Sequence, residues 1–232
     1  MTLVQPTLSL WDDDVDPALV SPSAPVSSPA PVSPPAPAPR AHHGQRVLAD
    51  STDRVAWLRA RSRGITATDV ARLSSEAAIQ AVVLDKLYGN GFRGNDYTDH
   101  GRAREPVIAR WVSRNHAIEP SSLLFHSLHD ERHLATPDGI AERSNGSVVL
   151  AEIKTTSKPW RSIPRSYLRQ VWWQQYVLGA ERTLLVWEQH VDFVPVAGPP
   201  TCRWIERDDN EIHRLVGLAD QVLATLARSS VR

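Results

Sequence analysis

The sequence has 232 residues, of which 41% are apolar and eight are tryptophan, so it can form one domain of ordinary size with a substantial core. Its single cysteine, Cys202, excludes an intramolecular disulfide and a cysteine-held iron–sulfur cluster. The basic and acidic residues balance at 26 each, which excludes a protein that coats DNA through its overall charge.

No apolar run reaches the length of a membrane span, and the N-terminus lacks the pattern of a signal peptide, so we expect a cytosolic protein without a membrane contact. Residues 1–45 are predicted to be a disordered arm, because residues 20–40 are almost wholly Pro, Ala, Ser and Val without periodicity. The folded domain is then predicted to span residues 46–232.

A short apolar peptide precedes this Pro-rich linker, and its apolar members are Leu8, Leu10 and Trp11. It resembles the peptides with which bacterial DNA enzymes bind the sliding clamp, although a tryptophan replaces the usual phenylalanine and a threonine stands at the usual glutamine position. Clamp binding is therefore one hypothesis, and a chance apolar cluster in a tail is the other.

The domain is expected to begin with a short helix at residues 53–61, with residues 57–58 facing inward, and a second helix is expected to have Thr68 or Asp69 as its N-cap. The exposed N–H groups of that helix start, a hydroxyl side chain and the nearby Arg61 suit an anion. A plain N-cap beside a solvent-exposed arginine explains the same residues, and the pattern alone favours that simpler interpretation.

An amphipathic helix is predicted at residues 76–88, and the helix after it is expected to have Thr98 or Asp99 as its N-cap. The buried stripe of that later helix is predicted to be Val107, Ile108, Trp111 and Val112. Glu105 lies close to this stripe and is a candidate to face a sheet. A glutamate that stabilises the positive end of the helix dipole explains its position equally well.

The central feature of the sequence is a predicted β-hairpin within residues 135–154. Asp138 follows a proline and opens the first strand, a Ser-Asn-Gly turn comes next, and an apolar, β-branched strand completes the pair. Glu152 and Lys154 are two residues apart and therefore leave the same face of that strand, whereas Ile153 points to the other face. Asp138 on the paired strand can meet them.

Two carboxylates and one ammonium group in this small volume suit a divalent cation. Hard oxygen ligands favour Mg²⁺, which proteins bind through one or two carboxylates while water and substrate phosphate complete its shell. The alternative is a surface hairpin with an ordinary contact between Glu152 and Lys154. The combination of proline, Asp138, turn and apolar strand favours the metal site.

A further helix is predicted to open at Pro164 and to end at Gly179. Gln170 lies among aromatic residues of this helix and needs a polar partner, which either a water on a metal ion or a scissile phosphate would supply. A glutamine that caps a backbone group is about as well supported. Short strands near residues 183–188, 193–196 and 203–205 and a C-terminal amphipathic helix complete the predicted domain.

The nine histidines show no spacing typical of a metal site. Three of them lie in a loop-rich region and are expected to be solvated: His126, His129 and His133.

Four blocks of this sequence carry a family resemblance: WLRARSRGITATD, GRAREP, the pair PD and EIK of the hairpin, and SYLRQVWWQQYV. In the same order, they resemble the motifs of the phage lambda-type 5′-to-3′ exonucleases, the YqaJ-like viral recombinases of the PD-(D/E)XK nuclease superfamily. The similarity runs over about residues 57–223. It implies an α/β fold of the restriction-endonuclease type, in which helices flank a mixed central sheet.

The resemblance also assigns catalytic roles at the hairpin. Asp138 and Glu152 fall on the positions that hold the metal ion, with the Ile153 carbonyl as a further ligand. Lys154 falls on the position that acts on the attacking water.

Four further residues match positions outside the hairpin. Glu105 would support a second metal ion or its waters, and Gln170 would help to position that site. Arg61 and Thr68 would hold the DNA 5′-phosphate. The family often has serine at the Thr68 position, and threonine keeps the hydroxyl.

The function that the resemblance implies is a Mg²⁺-dependent exonuclease that degrades duplex DNA from 5′ ends and leaves 3′ single-stranded tails for phage-type recombination, with Mn²⁺ as an alternative metal. The implied partners are DNA ends, a single-strand annealing protein and further copies of the chain in a ring-shaped homotrimer. The implied location is the cytoplasm of a bacterial host, with a phage or prophage gene. A restriction-like or repair endonuclease, and a non-catalytic DNA-end-binding module of the same fold, remain as alternatives.

Overall fold

The computed structural model describes residues 43–89 and 94–229. Residues 1–42 of the predicted arm, with its apolar peptide Leu8, Leu10 and Trp11, lie outside the described residues. Its last three residues, 43–45, belong to a short 3₁₀ helix, His43–Arg46. The described residues belong to one compact unit. Within them, no helix combines the length and the apolar character needed to cross a membrane.

The described chain contains both strands and helices, with a run of three helices followed by a run of five strands. The strands are β1 (Val47–Asp50), β2 (Ile65–Thr66), β3 (Glu119–Pro120), β4 (Leu123–His126), β5 (His133–Ala135), β6 (Gly139–Glu142), β7 (Val148–Thr156), β8 (Arg182–Val191), β9 (Val194–Pro195) and β10 (Thr201–Glu206). The α-helices are α1 (Arg54–Ser62), α2 (Ala67–Arg72), α3 (Glu76–Tyr88), α4 (Asp96–His116), α5 (Arg165–Leu178) and α6 (Asp209–Ser229).

The central sheet has the strand order β10-β8-β7-β6-β3, and β9 pairs with β8 beside it. Strands β7 and β8 are parallel, while the other neighbours in this sheet are antiparallel. A smaller sheet has the order β1-β4-β5-β2. The predicted α/β fold with a mixed central sheet is therefore confirmed.

Strands β6 and β7 form the predicted hairpin, in which Gly139 pairs with Ala151 and Glu142 pairs with Val148. Gly146 has a φ of 77° in the connecting turn, a left-handed conformation that glycine adopts without a steric penalty. The second strand continues to Thr156, which is longer than the pattern predicted. Glu152 and Lys154 lie beyond the residues of β7 that pair with β6.

Strand β7 is covered on both faces, so its side chains alternate between two apolar clusters. Val149, Ala151 and Ile153 pack with residues of α4. Leu150 lies in the cluster that contains α5 and α6. Because Glu152 has the same parity as Leu150, it leaves β7 on the α5 side.

Three details of the predicted helices were wrong. Helix α2 has Thr66 as its N-cap, not Thr68 or Asp69, because the Thr66 and Asp69 side chains form a reciprocal capping box. Helix α4 has Asn95 as its N-cap, because the Asn95 side chain accepts the Thr98 N–H bond and the helix starts earlier than predicted. Leu58 is 47% exposed, since α1 buries none of its residues.

The buried stripe of α4 also differs from the prediction. Ile108, Ala109 and Val112 are its buried residues, whereas Val107 is exposed and Trp111 is only partly covered. Other helix ends are as predicted: α3 spans the predicted residues, and α5 begins after Pro164 and ends at Gly179.

The capping box gives a direct test of the α2 start. Thr66→Ala removes the acceptor of the Asp69 N–H bond and should lower the free energy of unfolding by about 1–2 kcal/mol in urea denaturation. The exposed neighbour provides the matched control, since Thr68→Ala should change stability by less than about 0.5 kcal/mol. Equal effects of the two substitutions would contradict this assignment of the N-cap.

Candidate active site

Asp138 stands just before β6 and is joined to β7 through backbone contacts. Its Oδ2 accepts a 2.6 Å hydrogen bond from the Ile153 N–H, and its own N–H donates to the Ala151 carbonyl at 3.1 Å. The Asp138 carboxylate is therefore held beside the strand that carries Glu152 and Lys154.

The Glu152 carboxylate is 1% exposed and is held by three side-chain donors. Lys154 Nζ and Gln170 Nε2 both donate to Oε1, and Gln174 Nε2 donates to Oε2 at 2.6 Å. Gln170 and Gln174 lie on one face of α5 because they are four residues apart. A carboxylate taken out of water is strongly disfavoured without such partners, so these donors are what allows Glu152 to be buried.

The surroundings of Lys154 favour its protonated form. Burial acts to lower the pKa of Lys154, but the adjacent Glu152 and Asp138 carboxylates outweigh that effect and raise the pKa above its ordinary value. The ammonium group also lies 5.3 Å from the centre of the Tyr167 ring. Lys154 is therefore suited to donate a hydrogen bond and to carry a positive charge beside Glu152.

Glu105 completes a group of three carboxylates that repel one another. It is open to solvent on α4, yet desolvation of its carboxyl, followed by the charge of Glu152, raises its pKa. Burial, followed by the charge of Glu152, raises the pKa of Asp138 well above its ordinary value. The three carboxylates do not converge closely, because no choice of one oxygen from each residue places all three within 4.8 Å of one another.

Arg104 fixes the third turn of α4 to the central sheet. Its guanidinium donates to both carboxylate oxygens of Glu188, at 2.7 and 2.8 Å, and Glu188 is buried on β8. A bidentate pair of this kind constrains orientation as well as distance. Because Glu105 is the next residue, this pair also determines where its backbone lies.

The residues predicted to hold a 5′-phosphate lie on two neighbouring elements. Arg61 is in the last turn of α1, with its guanidinium 4.3 Å from the centre of the Trp57 ring, and burial lowers its pKa. Thr68 is exposed in the first turn of α2. The Asp69 carboxylate already accepts the Thr66 N–H bond, so the start of α2 is partly occupied by the protein itself.

A polar contact connects this region to the hairpin site. Arg169 donates from Nε and Nη2 to the Ala71 carbonyl, at 2.9 and 2.7 Å, and so joins α2 to α5 one residue before Gln170. Among the described residues, no hydrogen bond or ion pair joins Arg61 or Thr68 to the carboxylates themselves.

The sequence profile of the YqaJ-like viral recombinase domain matches residues 56–181, which is more than half of the chain and includes every predicted site residue. The chain belongs to the YqaJ-like viral recombinase family. The search of curated protein sequences gave no significant match.

Solved structures of two exonucleases are among those with a similar fold. The alkaline exonuclease LHK-Exo from Laribacter hongkongensis, also solved in complex with dAMP, is 23% identical, with a TM-score of 0.58 over 75% of this chain and 92% of that one. A phage-related exonuclease from Haemophilus somnus 129PT is 14% identical, with a TM-score of 0.55 over 72% of this chain and 96% of that one. At these identities the likeness shows the fold alone.

Gln174 is a residue of this YqaJ-like site that the sequence analysis did not single out. It is fully buried, holds the second oxygen of Glu152, and its own Oε1 has no hydrogen-bond partner among the described residues. The available signal was the spacing of two glutamines four residues apart on one helical face.

The expectation that His133 is solvated was wrong. His133 is 1% exposed on β5, where its ring packs against Trp173. Its imidazole is grouped with Asp130 and Asp220, so that one ligand atom from each lies within 4.8 Å of the others. This group does not include any residue of the hairpin site.

The repulsion between carboxylates predicts a pH-dependent stability difference. Because the pKa of Asp138 is raised on folding, ionising it destabilises the fold increasingly as pH rises from the ordinary aspartate pKa of about 3.9 towards the folded value. In chelator at pH 7, Asp138→Asn should therefore raise the free energy of unfolding by about 1 kcal/mol. Asparagine keeps an oxygen that can accept the Ile153 N–H bond.

The measurement is urea denaturation of both proteins between pH 4 and pH 8. The exposed acid Glu131 provides the control, since Glu131→Gln should show no comparable gain. A loss of stability in Asp138→Asn that does not vary with pH would contradict the predicted repulsion.

Proposed function

We propose that this YqaJ-like protein is a Mg²⁺-dependent exonuclease that degrades one strand of duplex DNA from 5′ ends and leaves 3′ single-stranded tails, with Mn²⁺ as a substitute. The observation that carries the proposal is the buried Glu152 carboxylate, held by donors from β7 and α5 beside Asp138. Replacing buried charged groups by apolar ones often stabilises a fold, so this cluster is better explained by chemistry than by stability.

The donor set fits a hard divalent cation. Glu152 Oε1 accepts two hydrogen bonds but Oε2 accepts one, so Oε2 retains acceptor capacity. Asp138 and Glu152 would hold the ion with the Ile153 carbonyl, and Glu105 would support a second ion or its waters. When bound, the cation supplies Lewis acidity that lowers the pKa of a coordinated water and stabilises the leaving oxygen.

The residues around the carboxylates then orient the reactants. The protonated Lys154 can donate a hydrogen bond to the attacking water and offset negative charge that develops on the phosphoryl group. Gln170 donates to the same oxygen of Glu152 and so positions that carboxylate relative to Lys154. Gln174 restrains the second oxygen from the other side.

Binding of the terminal 5′-phosphate would determine the direction in which the DNA strand is degraded. Arg61 offers a planar fork of donors that matches a phosphate, and Trp57 supports the plane of that fork. Thr68 offers an exposed hydroxyl on the adjoining helix. A phosphate bound there would orient the end of the DNA strand towards the hairpin site, because Arg169 joins α2 to α5 beside that site.

Three further parts of the proposal rest on family resemblance. They are a single-strand annealing protein that coats the new 3′ tail, a homotrimer that encircles DNA, and work in the cytoplasm of a bacterial host on behalf of a phage or prophage. A sliding clamp that binds Leu8, Leu10 and Trp11 rests instead on the likeness of that peptide to clamp-binding peptides.

The test uses linear duplex DNA with a 5′-phosphate at one end, in Mg²⁺. We expect degradation from the phosphorylated end, with a covalently closed circle left intact. Lys154→Ala should lower the rate at least about 10²-fold, because one charged donor to the reacting group is lost. The control Lys158→Ala removes an exposed lysine beyond the same strand and should leave the rate unchanged.

The same assay tests the phosphate grip. Arg61→Gln should reduce the preference for the phosphorylated end about 10-fold or more, since a charge-assisted hydrogen bond is lost. Nicking of the closed circle by the wild-type protein would replace the exonuclease with a restriction-like endonuclease. DNA-end binding without any cleavage would favour a non-catalytic module.

A further inference from the structure

A second group of side chains of the kind that bind metal ions lies near β5 and α6, apart from the hairpin site. His133 is on β5, Asp130 is in the loop before it, and Asp220 is on α6, so three separate segments meet at this point. One ligand atom from each residue lies within 4.8 Å of the other two.

The His133 imidazole is buried and its Nε2 lacks a hydrogen bond. Nδ1 is 3.0 Å from the Tyr176 hydroxyl, which orients the ring. Nε2 is 3.3 Å from Asp220 Oδ1, but the contact does not have hydrogen-bond geometry, and Nε2 has no hydrogen-bond partner among the described residues. The Asp220 carboxylate is thus the one group that meets this buried nitrogen among the described residues, and a cation bound by both atoms would satisfy the nitrogen.

The 3.3 Å separation between His133 Nε2 and Asp220 Oδ1 is typical of two ligands bound to one cation. Ligand atoms that each lie about 2.1 Å from a metal ion, at about 90–110° to each other, stand about 3.0–3.4 Å apart. An N–H···O hydrogen bond would instead require the acceptor to lie along the N–H direction, which it does not here. The Asp220 carboxylate therefore lies to one side of the direction in which His133 Nε2 would donate a hydrogen bond.

The charges of the neighbouring groups are compatible with a divalent cation bound to these three residues. Arg132 donates to Asp130 Oδ1 from its backbone N–H and Nε, at 2.8 and 3.0 Å, and to Oδ2 from Nη2 at 2.6 Å. Those bonds lower the pKa of Asp130 to about 2, so Asp130 is ionised at neutral pH. Oδ2 still has acceptor capacity, and burial favours the neutral form of His133.

We propose that Asp130, His133 and Asp220 form a site for a transition-type divalent cation of the Zn²⁺ or Mn²⁺ class, which fastens α6 to β5. One imidazole with two carboxylates suits these ions better than Mg²⁺, whose protein ligands are oxygens. The Tyr176 hydroxyl would serve as the outer partner that fixes the ring. The role is structural, since the His133 ring packs on Trp173 behind the helix that carries Gln170 and Gln174.

The test is a Co²⁺ titration of the full chain, stripped of metals with chelator and kept in excess Mg²⁺ so that oxygen-only sites are filled. Wild-type protein should bind one equivalent of Co²⁺ with visible d–d absorption, and Zn²⁺ should displace it. Asp220→Asn should weaken Co²⁺ binding at least 10-fold, and Tyr176→Phe should weaken it about 10-fold.

Asp209→Asn provides the matched control, because Asp209 is an exposed acid on the same helix that pairs with Arg207. Its affinity for Co²⁺ should equal that of the wild type. Since Asp220 is exposed, its replacement should not prevent folding, and circular dichroism checks this. Absence of Co²⁺ binding by the wild type, or unchanged affinity in Asp220→Asn, would overturn the proposed site.

Discussion

The buried carboxylate of Glu152 is the constraint on which the rest of the site depends. A negative charge out of water requires several donors at short range, and here they come from one residue of β7 and two of α5. The two contacts from Gln170 and Gln174 fix α5 against the sheet at one rotation and one height. Because α5 also joins α2 through Arg169, the same constraint reaches the helix that carries Thr68.

Strand β7 can meet this constraint because it is covered on both faces. The side towards α4 is apolar, and the side towards α5 changes from apolar at Leu150 to charged at Glu152. Asp138 and Glu105 then approach from the hairpin partner and from α4, where burial first and the charge of Glu152 second raise their pKa values. A bound divalent cation would favour the ionised form of both carboxylates.

The hairpin could be predicted from the sequence because it depends on short-range patterns, namely the period of two, the turn residues and the spacing of Glu152 and Lys154. The mixed central sheet was expected only from the family resemblance, since its parallel pair β7 and β8 is joined across α5. The N-caps were harder, since Thr66 and Thr68, or Asn95 and Thr98, offer similar side chains within one turn of each other. Gln174 and His133 were missed because their partners lie far away in sequence. Pairing over such separations is set by how α5, β5 and α6 pack, which no local pattern contains.

The most direct measurement of the central claim is an anomalous difference map from crystals of the full chain grown with Mn²⁺ and a 5′-phosphorylated duplex. A peak about 2.0–2.2 Å from oxygens of both Asp138 and Glu152 is the predicted result. A well-ordered hairpin site with bound DNA but no peak between those two carboxylates would contradict the account.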